Sequence, residues 1–125
     1  MELKEYFAST SGHAVLSTMD NDGNVDSAIY SSPRFFDDGR IGLIMREKLS
    51  YANIQVNPHV CLLFIEHGGG YNGKRLYLKK VDETDDRDVI GPLLEESSHD
   101  GDEDAVRHLV YFEIVKERPL VGDRL

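Results

Sequence analysis

Short runs of alternating and apolar residues dominate the chain. His13 to Met19 alternates like a half-buried strand. Asp20-Asn21-Asp22-Gly23-Asn24 follows, with the Asp-Gly signature of a hairpin turn, and Val25 to Ser31 reads as the return strand. Pro33 interrupts it, Arg34-Phe35-Phe36 resumes, and Asp37-Asp38-Gly39 makes a second turn before the apolar strand Ile41–Met45. These runs predict an antiparallel meander. Val60–Glu66 reads as a buried strand. His67 to Gly73 is a glycine-rich connection to Arg75–Val81, where Leu76 and Leu78 oppose Tyr77 and Lys79, and His108–Val115 is a last strand.

Helical periodicity is confined to three places. Leu3, Tyr6 and Phe7 share one face of a short helix from Glu2 to Thr10, ended by Ser11-Gly12. Ser50 to Asn57 is a second helix, with Ser50 suited to the N-cap and Pro58 ending it. Asp85–Glu96 carries Val89, Ile90, Leu93 and Leu94 on one side, with Gly91-Pro92 as a point where it is expected to break. Six or seven short strands and two or three helices predict a mainly β barrel or sandwich. With 125 residues, no repeat and no linker, residues 1–125 read as one domain.

Composition removes several function classes. No apolar run approaches the roughly 20 residues of a membrane span, and the first residues lack an apolar signal core, so no membrane partner and a cytoplasmic location are expected. The single Cys61 allows no internal disulfide and reads as a buried small hydrophobe. The net charge of −9 is uneven: Asp82 to Asp104 holds eleven acids and one base, Arg87, leaving +1 elsewhere. There is no basic stripe, so no nucleic-acid partner is expected. Ser97–Asp104 has too few apolar residues to offset ordering entropy and reads as a mobile loop. Asp100 to Asp104 suggests a calcium loop, but Ala105 and Tyr111 stand where that loop needs Gly and Glu. The five histidines have no metal-ligand spacing, and no catalytic acid, base or nucleophile can be named.

The stretch Arg40–Pro58, RIGLIMREKLSYANIQVNP, carries the most chemistry. A strand end, then Arg46 and Lys48, then a helix start at Ser50 gather cationic groups and free helical N–H groups, a pattern that suits phosphate. A solvated strand-to-helix loop is the plainer alternative. Likewise Lys74, Arg75, Lys79 and Lys80 could face a partner or cofactor, or simply water.

The order of elements resembles the FMN-binding split barrels related to pyridoxamine 5′-phosphate oxidase. The resemblance rests on the hairpin HAVLSTMDNDGNVDSAIYSS, the DDG turn, and IGLIMREKLSYANIQVNPHVCLLF with its Asn57-Pro58-His59-Val60, and covers about residues 1–80. It implies FMN held at the interface of a homodimer. The cofactor-binding residues it implies, together with the Arg46–Lys48 reading, are Ala28, Ile29, Tyr30, Ser31, Met45, Arg46, Lys48, Ser50 and Asn53. Leu49-Ser50 stands where the oxidase has its phosphate-binding Arg-Lys pair, and the chain has no Trp, which argues against the oxidase reaction itself. The expected function is a flavoprotein, an oxidoreductase acting on an unknown small molecule. The alternatives are a flavin or electron carrier without its own substrate, a cofactor-free interaction module, or a barrel that holds haem or the deazaflavin F420.

Overall fold

A computed structural model describes residues 2–95 and 105–122. The chain runs α1 (Leu3–Ser9), β1 (Gly12–Met19), β2 (Val25–Tyr30), β3 (Arg34–Phe35), β4 (Ile41–Arg46), α2 (Leu49–Val56), β5 (His59–Glu66), β6 (Gly73–Thr84), α3 (Arg87–Glu95) and β7 (Arg107–Pro119). The seven strands form one antiparallel sheet in the order β2-β1-β5-β6-β7-β4-β3. It curls into a half-barrel, as expected for a mainly β split barrel.

The order corrects the expected meander. β2 pairs with β1 alone, while β4 pairs with β7 and β3. Burial explains the parting. In β4, Ile41, Gly42, Leu43 and Met45 are all buried, so both faces of the strand need cover. In β2, every second residue is exposed, which suits an edge. Pro33, which supplies no N–H to a ladder, is buried in the crossover between them.

One face of the curled sheet forms the core. Leu16, Leu62, Phe64, Leu76, Leu78, Leu43, Met45, Val110 and Phe112 are essentially inaccessible. The alternation that aims them inward is that of a pleated strand. Register shifts at Tyr77/Leu78 and Lys80/Asp82 interrupt the β6–β7 ladder, where the sheet bends. α1 closes one end. Its Phe7 stacks on Phe35 of β3 at 5.2 Å and meets Phe64 of β5 edge-on at 4.7 Å, spanning two strands that never pair.

The third helix differs from expectation in two ways. α3 continues through Gly91-Pro92 instead of breaking there. The bond that Pro92 cannot make is to the carbonyl of Asp88, and both residues are exposed, so water can satisfy that group. Ile90 is buried and Leu93 and Leu94 are half-buried, but Val89 is 40% exposed and does not join the covering face. α3 packs on β7, and its Leu93 carbonyl accepts a 2.7 Å hydrogen bond from Arg34 Nη2 of β3. The loop expected at Ser97–Asp104 and the calcium-like stretch within it lie outside the described residues. β6 already includes Asp82 to Thr84, so the start of the acidic segment is strand. Cys61 is half-buried rather than in the core, and burial pushes its thiol up, against the opposing pull of Arg75.

Gly12 and Gly73 flank the end of β5 from either side. A Cβ at Gly73 would overlap the Phe64 carbonyl oxygen, and one at Gly12 the Ile65 carbonyl oxygen. Gly73→Ala is therefore expected to cost about 2 kcal/mol or more. Gly69→Ala, in open space at φ +78°, should cost about 1 kcal/mol. Urea unfolding of the two variants checks the ranking.

Candidate functional site

The region that gathers the expected site lies where β2, the β4–α2 loop and the start of α2 meet. α2 begins at Leu49, with Lys48 as its N-cap and no side-chain hydrogen bond from that cap. This corrects the expectation that Ser50 caps the helix. Ser50 lies within the first turn, 4% exposed, against the Tyr30 hydroxyl at the end of β2. Burial pushes the Tyr30 hydroxyl up, and the Ser50 bond pulls the other way. One turn on, Asn53 Nδ2 donates to Thr18 Oγ1 at 3.0 Å, and both residues are buried. Thus Ser50 and Asn53 spend their polar atoms pinning α2 to β2 and β1. The spacing Ser50–Asn53 is one helical turn, but nothing in it announced Tyr30 and Thr18 as partners.

The other expected residues divide by strand alternation. Met45 is fully buried in the core, so it can offer a ligand only backbone. Arg46, the next residue, faces the opposite side of the sheet, across the ladder from Arg107. Lys48 is exposed in front of the uncapped helix. Ile29 is 76% exposed on β2, whereas Ala28 is half-buried and Ser31, just past the strand, is exposed. Among the described residues no strand pairs with the outer edge of β2, so its backbone groups on that side are open.

Beside Ile29, the outer face of the sheet is more apolar than the alternation alone promised. Ile29 sits opposite Val15, and Val15 opposite Leu63, while Val25 lies opposite Met19. Val25 and Met19 are exposed, and Val15 and Leu63 are half-buried. The four basic residues of β6 fare differently. Lys74 pairs with Glu117 at 2.7 Å, Arg75 donates to the carbonyls of Pro119 and Gly122, and Lys80 pairs with Glu83 at 2.8 Å. Only Lys79 of the four stands exposed to water.

On its other side α2 carries a polar network that the sequence did not disclose. Tyr51 stacks on His108 of β7 with ring centres 4.3 Å apart and donates to Glu83 Oε2 at 2.7 Å. His108 Nε2 lies 3.1 Å from Glu47 Oε1 of the β4–α2 loop. Burial acts to raise the Glu83 carboxyl, but hydrogen bonds from Lys80 and Tyr51 outweigh it and hold the group below its ordinary range. The contacts of Tyr51 with Glu83 and His108, and of His108 with Glu47, join residues 32 to 61 positions apart, whereas Lys80 and Glu83 are near neighbours in the chain. On the opposite side of the sheet, a cavity of about 350 Å³ separates α3 from the start of β7, lined by Arg87, Ile90, Leu94 and Arg107 among others. Among the described residues no three His, Cys, Asp or Glu side chains gather as a metal site, and no helix is long and apolar enough to cross a membrane.

Neither a family model nor a curated relative matches the sequence. Solved structures do match. A crystal structure of an FMN-binding protein from Syntrophomonas wolfei subsp. wolfei superposes with a TM-score of 0.78 at 20% identity, covering 97% of this chain and 85% of that one. An F420 reductase gives 0.68 at 17% identity, covering 94% and 98%. A putative pyridoxamine 5′-phosphate oxidase from Lactobacillus delbrueckii gives 0.70 at 17% identity, covering 94% and 92%. The chain has the fold of the pyridoxamine 5′-phosphate oxidase-like, FMN-binding split barrels.

Tyr51 provides a spectroscopic check on this arrangement. Burial, then the hydrogen bond to Glu83, then the charges of Glu83, Glu47 and Asp85 push its hydroxyl up to about 12. Its contribution to stability is intact below the ordinary tyrosine value near 10 and is lost as pH climbs from there through about 12. The tyrosinate absorbance difference between wild type and Tyr51→Phe should show this late ionisation. Glu83→Gln should bring it to lower pH.

Proposed function

We propose that this protein binds FMN between two copies of the chain, at the open edge of β2 and the start of α2. One observation carries the reading: an uncapped helix start with exposed Lys48 lies beside an unpaired β2 edge and the exposed Ile29, within a fold shared with an FMN-binding protein. The residues suit the group. The first-turn N–H groups of α2 and Lys48 offer donors and positive charge to a phosphate, and Arg46 adds charge from the strand end. The open backbone of Ala28 to Ser31 offers hydrogen bonds to the polar edge of a flavin ring. Ile29, Val15 and Leu63 offer it an apolar bed. Ser50 and Asn53 position the helix start, and Met45 supports the strand from the core.

When bound, flavin supplies electron or hydride transfer, and the protein supplies orientation and exclusion of water. An oxidoreductase acting on a small molecule follows from that chemistry. A deazaflavin is the second reading, favoured by the likeness to an F420 reductase. Mass spectrometry of the chromophore released from purified protein distinguishes the two.

Replacing Arg46 and Lys48 together with Ala should weaken FMN binding about tenfold or more, the equivalent of about 1.4 kcal/mol. Fluorescence titration measures it, and unchanged affinity would remove the phosphate assignment.

The apolar outer face around Val25, Ile29 and Met19 is the surface proposed for the second copy. Light scattering should give twice the chain mass of 14.1 kDa. Ile29→Asp should shift the population toward monomer and lower FMN affinity together, because both depend on the same covered face.

A further inference from the structure

The loop that offers Arg46 and Lys48 also carries an acid between them, Glu47, whose charge opposes any anion bound there. In the structure that acid is turned away. Its Oε1 lies 3.1 Å from His108 Nε2 of β7. The other ring nitrogen faces acceptors as well. His108 Nδ1 is 3.5 Å from Glu83 Oε2 and 3.4 Å from the Tyr51 hydroxyl oxygen. The Tyr51 hydroxyl has one hydrogen, and the 2.7 Å contact to Glu83 uses it. Both imidazole nitrogens therefore point at groups that can only accept from them. Only the doubly protonated ring can donate in both directions; a neutral ring leaves one lone pair against an acceptor.

The surroundings hold the ring still. Its side chain is 12% exposed and lies parallel to Tyr51, with 16° between the planes. The groups facing it are Glu47 from the loop, Glu83 from β6 and Tyr51 from α2. Lys80 of β6 touches the same Glu83 at 2.8 Å, and Asp85 acts on Tyr51 from just beyond β6. Arg107, next in sequence, faces the opposite side of the sheet. Glu47 is the more exposed partner here, with a side chain 59% exposed, against 24% for Glu83.

We propose that His108 is a positioning residue that, when protonated, clasps Glu47 and so keeps Lys48 and the helix start open to an anionic ligand. Loss of the ring proton frees Glu47, and its negative charge returns beside Lys48 at the helix start. The loop is then a proton-linked anion site. The clasp stands on the side-chain geometry alone; its effect on FMN rests on the function proposed above.

Two measurements separate these parts. In the cofactor-free protein, NMR should show the backbone amides of Glu47 and Lys48 shifting with pH along the titration of the His108 ring, and this coupled shift should vanish in His108→Gln. Amides that ignore the ring, or that titrate unchanged in His108→Gln, overturn the clasp. FMN affinity is then measured at pH 6 and pH 8.5 in wild type and Glu47→Gln. The FMN phosphate also titrates near pH 6, equally in both proteins, so their ratio cancels it. Affinity lost between the two pH values should be about threefold greater in wild type than in Glu47→Gln, from one carboxylate at partly solvated range. Equal losses overturn the proton-linked anion site. Loop amides that follow His108 in a protein that binds no FMN at any pH would refute the flavin reading and leave the clasp standing.

Discussion

Much of the structure depends on β4 being buried on both faces. A strand reading Ile-Gly-Leu-Ile-Met has no side it can give to water. Placing it between β7 and β3, with the core on one face and the Phe36 ring and Leu109 against Gly42 on the other, satisfies that demand. The placement carries the chain away from the β1–β2 hairpin and leaves β2 as an edge. Gly42 shows how close the cover comes, since a Cβ there would crowd the Phe36 ring and Leu109. The open edge and exposed face proposed for cofactor and second copy are thus the other side of a packing requirement some fifteen residues further along.

The helices settle what the sheet leaves unfinished. α1 joins β3 to β5 through Phe7, and Tyr6 donates to Glu66 at 2.6 Å to fix its far side. α2 is fastened by the buried bond from Asn53 to Thr18, with buried Ser50 against the half-buried Tyr30, rather than by a strong apolar face. Breaking such a bond leaves a buried group unpaired, which costs about 1–3 kcal/mol, so the helix start is held in place firmly. That firmness matters because the uncapped N–H groups are useful to a ligand only if they keep their aim.

α2 also separates two chemical environments. Toward β2 it presents neutral hydroxyl and amide groups in the interior. Toward β6 and β7 it presents Tyr51 to a charged cluster of Glu83, Lys80, His108 and Glu47. The β4–α2 loop touches both, since Glu47 joins the cluster while Lys48 opens the helix. A change of charge in the cluster therefore has a short path to the loop through one side chain.

How much of this was readable from the chain differs by kind of feature. Strand and helix positions followed from local rules, because Asp-Gly turns, Pro58 after the second helix and the 2 and 3.6 periodicities each act over a few residues. The order of motifs over about residues 1–80 sufficed for the split-barrel class. The caps and partners were not readable. Ser50 looks like an N-cap to any local rule, yet it is buried against Tyr30 from twenty residues earlier. Pro92 looks like a helix breaker, yet its missing bond faces water. The pairing of β4 with β7, the gathering of Glu47, Tyr51, Glu83 and His108, and the division of Arg46 from Met45 across the sheet were decided by tertiary structure. Each depends on which distant surface a side chain meets once the sheet has curled, and a sequence records local preference without recording that encounter.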